Sequence, residues 1–182
     1  DKTPMHIREL HFGGAVRSEC GMRVPVMTIS NACAASNYAL GIATDMLALD
    51  EADIVIVAGV DSITESMFGL LDRVNPNNPE IVQPLDDKRQ GVLMGEGAAA
   101  IVLETAEHAR ARGKESAITI RSVGLNCDAF HETAPDVNGI ADAMRDAHSR
   151  AEVEPEQIDV IINHGTGTQL NDAAEAKAIN EV

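Results

Sequence analysis

The stretch "VIINHGTGTQLNDAAEAKAIN", residues 160–180, passes from β-branched apolar residues through a Gly/Thr turn into an Ala-rich run. "IDVIIN" (158–163) reads as a buried strand, "HGTGTQLND" as a sharp turn and "AAEAKAIN" as a helix. A second stretch repeats that plan. "VPVMTIS" (24–30) reads as a strand, "TISNACAASNYAL" (28–40) carries Cys33 at the turn, and "SNYALGIATDMLAL" (36–49) reads as a helix. Ala39, Ile42, Ala43, Met46 and Leu47 fall at helical spacing and the opposite face is also apolar, so this helix is expected to be buried. Buried strand, turn with a reactive side chain, then helix, occurring twice, points to an α/β architecture of two halves with chemistry at the strand ends.

Between these stretches, "DIVIVAGV" (53–60), "GEGAAAIVLET" (95–105) and "SAITIRSVG" (116–124) read as further strands, apolar enough to be covered on both faces. "AEHARARG" reads as a helix ended by Gly113, and Ile140, Met144, Ala147 and Ala151 set a helix over 138–152. The connection from Asp61 to Glu96 contains "NPNNPE" and "QPLDDKRQG", where regular structure is not expected. A connection that long in a compact domain usually covers or forms a site.

With 182 residues, 45% of them hydrophobic, the chain is read as one domain. A net charge of -15 argues against nucleic acid and anionic membrane surfaces as partners. The N-terminal "DKTPMHIREL" lacks a leader's apolar core and cleavage pattern, and no apolar run is long enough to span a bilayer, so a soluble cytoplasmic protein is expected. Three cysteines without a CxxC pair suit a reducing compartment. An aromatic share of 2% requires an aliphatic, Ala-rich core. There is no HExxH or paired His/Cys array to hold a metal, and "HGTGT" lacks the spacing and ending of a phosphate loop, so no cofactor is expected. The acidic residues of "LDD" and "GEG" read as solvated.

Cys33 is placed at a strand-to-helix turn, where free N–H groups and the positive end of the helix dipole favour a thiolate. Ala32, Ala34, Ala35 and Ser36 leave room for a carbonyl, and the Cys33 amide offers an oxyanion donor. Against this stands the commoner fate of a free cysteine, a small buried hydrophobe, which Cys20 and Cys127 are assigned. His164 lies in a turn whose glycines allow close ligand approach, and its imidazole can donate a hydrogen bond or move a proton. His6, His11, His108 and His148 are read as structural, and His131 as intermediate.

Taken together, "TISNACAAS", "QPLDDKRQGVLMGEGAAAIVLE", "DAFHETAPDVNG" and "INHGTGTQLNDAAEAKAI" resemble, in order and spacing, the signatures of the β-ketoacyl synthases, condensing enzymes of fatty acid and polyketide biosynthesis. The resemblance implies a thiolase-like fold, layered α-β-α-β-α, with residues up to about 110 ending its N-terminal half and the rest beginning its C-terminal half. It implies a Cys33 nucleophile that accepts an acyl group from an acyl carrier protein or CoA thioester. A malonyl thioester then decarboxylates and attacks, with His164 bonding the thioester oxygen. Thr166 and Thr168 match threonines that hold the phosphopantetheine arm, Glu175 matches a supporting glutamate, and Lys177 is read as a surface residue. Phe68, Met67 and Leu70 are candidate pocket residues, and Arg73, Lys88 and Arg89 a candidate carrier-docking patch.

Family members pair through the strand before the nucleophile, so a homodimer or a ketosynthase-type heterodimer is expected. The chain looks like the middle of such an enzyme. It stops before the family's catalytic lysine, second histidine and Gly-rich strand, and apolar surface should therefore be exposed. Asn31 and Asn163 depart from the usual Thr and Ala. Two other readings are a non-catalytic partner subunit shaping chain length, disfavoured by the presence of Cys33, and a thiolase-type CoA acyltransferase.

Overall fold

A computed structural model describes residues 12–74, 79–131 and 133–182. His6, His11 and residues 75–78 of "NPNNPE" lie outside the described residues. The helices are α1 (Phe12–Glu19), α2 (Ala35–Ala48), α3 (Glu65–Val74), α4 (Ala106–Ala111), α5 (Val137–Ala151) and α6 (Gln169–Glu181). The strands are β1 (Ile54–Asp61) and β2 (Gly97–Glu104), and short 3₁₀ turns occupy Ala32–Ala34 and Pro155–Gln157.

β1 and β2 pair antiparallel, from Ile54 opposite Glu104 to Asp61 opposite Gly97. The helix on them is α2, whose Gly41, Ala43 and Leu47 are buried. Gly59 of β1 lets the first turn of α2 come close: a Cβ there would stand 2.9 Å from Ser36 Oγ. Alternating helices and strands meet the α/β expectation, but three of the expected strands are absent. Residues 24–30, 116–124 and 158–163 form no strand. A strand exists only by exchanging N–H···O=C bonds with a neighbour, and among the described residues only β1 and β2 do so over a full length. Nor is "DIVIVAGV" covered on both faces, since Val57 is buried while Ile54, Ile56 and Val60 are exposed. The expected exposed apolar surface is there, and Ile162 is its extreme at 93%.

The connection from Asp61 to Glu96 is more regular than its composition suggests, because α3 lies inside it. Thr64 starts that helix: its Oγ1 accepts from Met67 N–H at 3.3 Å and its carbonyl from Phe68 N–H at 2.9 Å. Ile63 N–H donates to Glu96 Oε1 at 2.8 Å, so this acid of "GEG" ties the start of α3 to the foot of β2.

The buried apolar residues are Ala43, Leu47, Val57, Ala109, Ala141, Ala174 and Ala178, the Ala-rich core that a chain with so few aromatics requires. Apart from Ala109 of α4, they fall into an α2 and β-sheet cluster and an α5 and α6 cluster. Residues 121–126 join the two. Gly41 of α2 packs on Leu125 and Val123, while a Cβ on Gly124 would meet Ala143 O of α5 at 2.0 Å, so only glycine fits. Ser122 Oγ donates to Ala147 O at 2.7 Å, Asn126 Nδ2 to Gly139 O at 3.0 Å, and Tyr38 Oη to Asn126 O at 3.3 Å. On the outer side of the sheet, Glu104 accepts from Arg112 Nε at 2.9 Å and bonds His108 Nδ1 at 2.7 Å, the structural setting expected of His108. The Arg112 bonds, then His108, hold the Glu104 carboxyl down at about 2.

Candidate active site

Cys33 stands at the start of α2, in the 3₁₀ turn that runs into it, although the strand expected before it is absent. Ala32 just before it has φ 54, a left-handed conformation that costs a residue with a Cβ about 1–2 kcal/mol. The chain thus reverses sharply at Ala32 and sets Cys33 at the positive end of a 14-residue helix. The thiol is free and exposed, so the buried-hydrophobe reading does not describe it. It does not describe Cys20 or Cys127 either, as both are exposed: Cys20 follows α1, which buries nothing, and Cys127 lies in a loop. Exposure therefore does not single out Cys33. The strained turn and the helix start do.

His164 enters a turn built on two left-handed glycines, Gly165 at φ 53 and Gly167 at φ 75. Close approach adds to the need for glycine, because a Cβ on Gly165 would lie 3.1 Å from Pro84 Cβ and one on Gly167 2.6 Å from Gly91 O. Such a turn directs N–H groups inward, and two carboxylates of α6 take them. Glu175, buried, accepts from His164 N–H at 2.5 Å and Gly165 N–H at 2.9 Å. Asp172 Oδ1 accepts from Gly167 N–H at 3.1 Å. The His164 side chain is exposed, with its backbone rather than its ring held in place.

Thr166 and Thr168 present their hydroxyls as a pair 2.8 Å apart, and Thr168 also caps α6 by accepting from Asn171 N–H. Asn163, next to the histidine, keeps a buried Oδ1 with no partner among the described residues. His164, Thr166, Thr168 and Glu175 thus form one unit at the start of α6. Cys33 belongs to the α2 cluster, and no hydrogen bond among the described residues links it to His164. Phe68, on α3, is 67% exposed, as is much of Leu70, while Met67 is half-buried. Lys177 is on the surface, 4.0 Å from Glu181.

The loop over residues 82–91 lies against this turn. Arg89, read from sequence as a surface cation, is largely buried and occupied: Nε donates to Thr168 O at 3.1 Å, Nη2 to Gln169 O at 3.2 Å and Nη1 to Asp86 O at 2.9 Å. Arg73 and Lys88 stay exposed. In the "DAFHETAPDVNG" motif, His131 Nδ1 accepts from the N–H groups of Thr133 and Ala134, both at 3.1 Å, so this ring staples its own loop. Sequence reading passed over Asp172 because it treated single acids of an acidic chain as solvated. The signal was its place, five residues after a Gly-Thr-Gly turn whose amides need acceptors. Among the described residues no cluster of His, Cys, Asp and Glu is arranged to hold a metal, and no helix is long and apolar enough to cross a membrane.

Residues 9–109 match the family described as Beta-ketoacyl synthase, N-terminal domain, and residues 117–182 its C-terminal domain. The chain is 36% identical over 170 residues to Nodulation protein E of Rhizobium leguminosarum bv. trifolii, covering 93% of this chain and 42% of that protein. It is also 36% identical over 191 aligned positions to 3-oxoacyl-[acyl-carrier-protein] synthase 2 of Mycobacterium bovis, covering 98% of this chain and 46% of that protein. Among solved structures, the ishigamide ketosynthase/chain length factor superposes with a TM-score of 0.88 at 41% identity, over 93% of this chain and 42% of that one. The chain therefore spans less than half the length of these relatives, and its α/β fold is that of the thiolase-like ketosynthases.

Proposed function

Because the chain belongs to the β-ketoacyl synthase family, we propose that the whole protein is an acyltransferase performing decarboxylative condensation, with Cys33 as nucleophile. The observation that carries this reading is the left-handed Ala32, which turns the chain so that the Cys33 thiol stands exposed at the start of α2. The thiolate attacks the carbonyl of an acyl thioester, a new carbon–sulfur bond forms, and the carrier thiol leaves. A malonyl thioester then loses carbon dioxide, and the resulting carbanion attacks the acyl carbonyl. The carbon–carbon bond forms, the bond to Cys33 breaks, and the thiolate is regenerated. His164 donates a hydrogen bond to the malonyl thioester oxygen as negative charge grows there. Thr166 and Thr168 hold the pantetheine arm that brings each thioester in, Glu175 fixes the turn, and Phe68 contacts the acyl chain.

The donor proposed is an acyl carrier protein, by analogy with the 3-oxoacyl-[acyl-carrier-protein] synthase it resembles. Arg73 and Lys88, both exposed, are the cations proposed to meet an acidic carrier. A dimer, homodimeric or with a chain length factor as in the ishigamide protein, and a cytoplasmic location complete the reading. A chain-length-factor role for this chain itself is the weaker alternative, since Cys33 is present. Intact-mass measurement of the whole protein after incubation with acyl donors tests the proposal: one acyl adduct is expected, and an adduct that survives Cys33→Ala overturns it.

A further inference from the structure

Asp172 is the most deeply buried acid of the described chain, 1% exposed, and three donors from two distant segments converge on it. Gly167 N–H reaches Oδ1 at 3.1 Å, Asn171 Nδ2 reaches the same oxygen at 3.3 Å and Leu85 N–H reaches Oδ2 at 2.8 Å, while the Arg89 guanidinium forms an ion pair 3.7 Å from Oδ2. Leu85 and Gly167 share an unusual property: each has a left-handed backbone, at φ 61 and φ 75. For Leu85, which carries a Cβ, that conformation is strained and persists only where the surroundings fix it. Around this centre the same two segments are sewn together by Gly91 N–H donating to Gly167 O at 3.0 Å and Gln169 Nε2 to Arg89 O at 3.1 Å.

We infer that Asp172 is a positioning residue, a clamp that holds the 85–91 loop and the Thr166–Thr168 stretch of the histidine turn in one frame. The inference rests on the proposed function, since it gives those threonines their task. A carboxylate is needed because both of its oxygens accept an N–H: an amide offers one acceptor, and its NH₂ would face a second donor. The buried charge also has the Arg89 guanidinium beside it, which offsets it as an ion pair while its N–H groups go to backbone carbonyls of both segments. Asp172 and Glu175 divide the turn between them. Glu175 holds the amides of His164 and Gly165, and Asp172 holds the amide between the two threonines and the loop beside it.

The test is Asp172→Asn in the whole protein, with Arg89→Gln as a milder second variant. Amide hydrogen exchange is expected to rise at Leu85, Gly91 and Gly167 and to stay unchanged in α2. KM for the acyl and malonyl thioesters is expected to rise roughly tenfold, the loss of one charged hydrogen bond, with kcat changed far less. Alkylation of Cys33 by iodoacetamide, which needs no pantetheine arm, should stay within about twofold of the parent on the same grounds. Unchanged exchange at Leu85 and Gly167, or a rise shared equally by α2, overturns the clamp. If the parent protein turns over neither thioester, the proposed function fails while the exchange measurement still decides the clamp.

Discussion

The turn at Cys33 and the turn at His164 both break the backbone with a left-handed residue and then start a helix, but they are held by opposite means. At Cys33 the left-handed residue is an alanine, the 3₁₀ turn has no side-chain cap, and close packing of small groups does the work, Ser36 against Gly59. At His164 the left-handed residues are glycines and two buried carboxylates bind the turn's amides. The contrast suits the roles proposed for the two groups. A thiol that forms and breaks a covalent bond needs open space around it, and small neighbours provide that. An imidazole that only donates a hydrogen bond needs a fixed place, and charge-assisted bonds to its backbone give one.

The comparison breaks most sharply at Gly167→Ala. The new Cβ would sit in a left-handed backbone and 2.6 Å from Gly91 O, a main-chain atom that cannot rotate away. A loss of about 3 kcal/mol is expected in denaturant unfolding of the whole protein. Glu175→Gln comes next. One of the two amides of His164 and Gly165 loses its acceptor, for about 2 kcal/mol, and malonyl decarboxylation should fall further than acylation of Cys33 when the half-reactions are timed separately. Ala32→Gly has a smaller effect and the opposite sign. Relief of the left-handed strain outweighs the entropy of an added glycine, so the unfolding free energy should rise by about 0.5 kcal/mol. Equal and opposite responses at the two turns are thus not expected: one is stabilised by glycine, the other destroyed by losing it.

Glu104→Gln, remote from both turns, gives the smallest change and serves as the control. Its folded value of about 2 lies below the ordinary 4.5 of a free glutamate, so its ion pairs with Arg112 and His108 contribute above 4.5 and are lost as pH falls towards 2. The variant should be slightly less stable than the parent at neutral pH and no different at pH 2, as read from thermal unfolding.

Much of this was legible in the sequence. Regular spacing marked α2 and α5, because periodic apolar positions report a buried face whatever lies around them, and stop and turn residues marked α4 and α6. Position relative to strand and helix marked Cys33 and His164. The stretches 24–30, 116–124 and 158–163 have strand composition but no strand, since composition records preference and a ladder needs a partner. Helix α3 was hidden by the Asn- and Pro-rich residues beside it. The bonds of Asp172 and Arg89 across the two segments were illegible for a different reason: they join main-chain groups about eighty residues apart and leave no local pattern at either end.

The clamp on the 85–91 loop grips almost only peptide groups: Leu85 N–H, the Asp86 and Arg89 carbonyls and Gly91 N–H. Peptide groups are common to every sequence. Asp87, Lys88 and Gln90 project outward from the same loop, exposed, and take no part in the grip. This divides the loop into a held scaffold and an exposed label. Point substitution can rewrite the label's charge while the backbone grip underneath stays as it is.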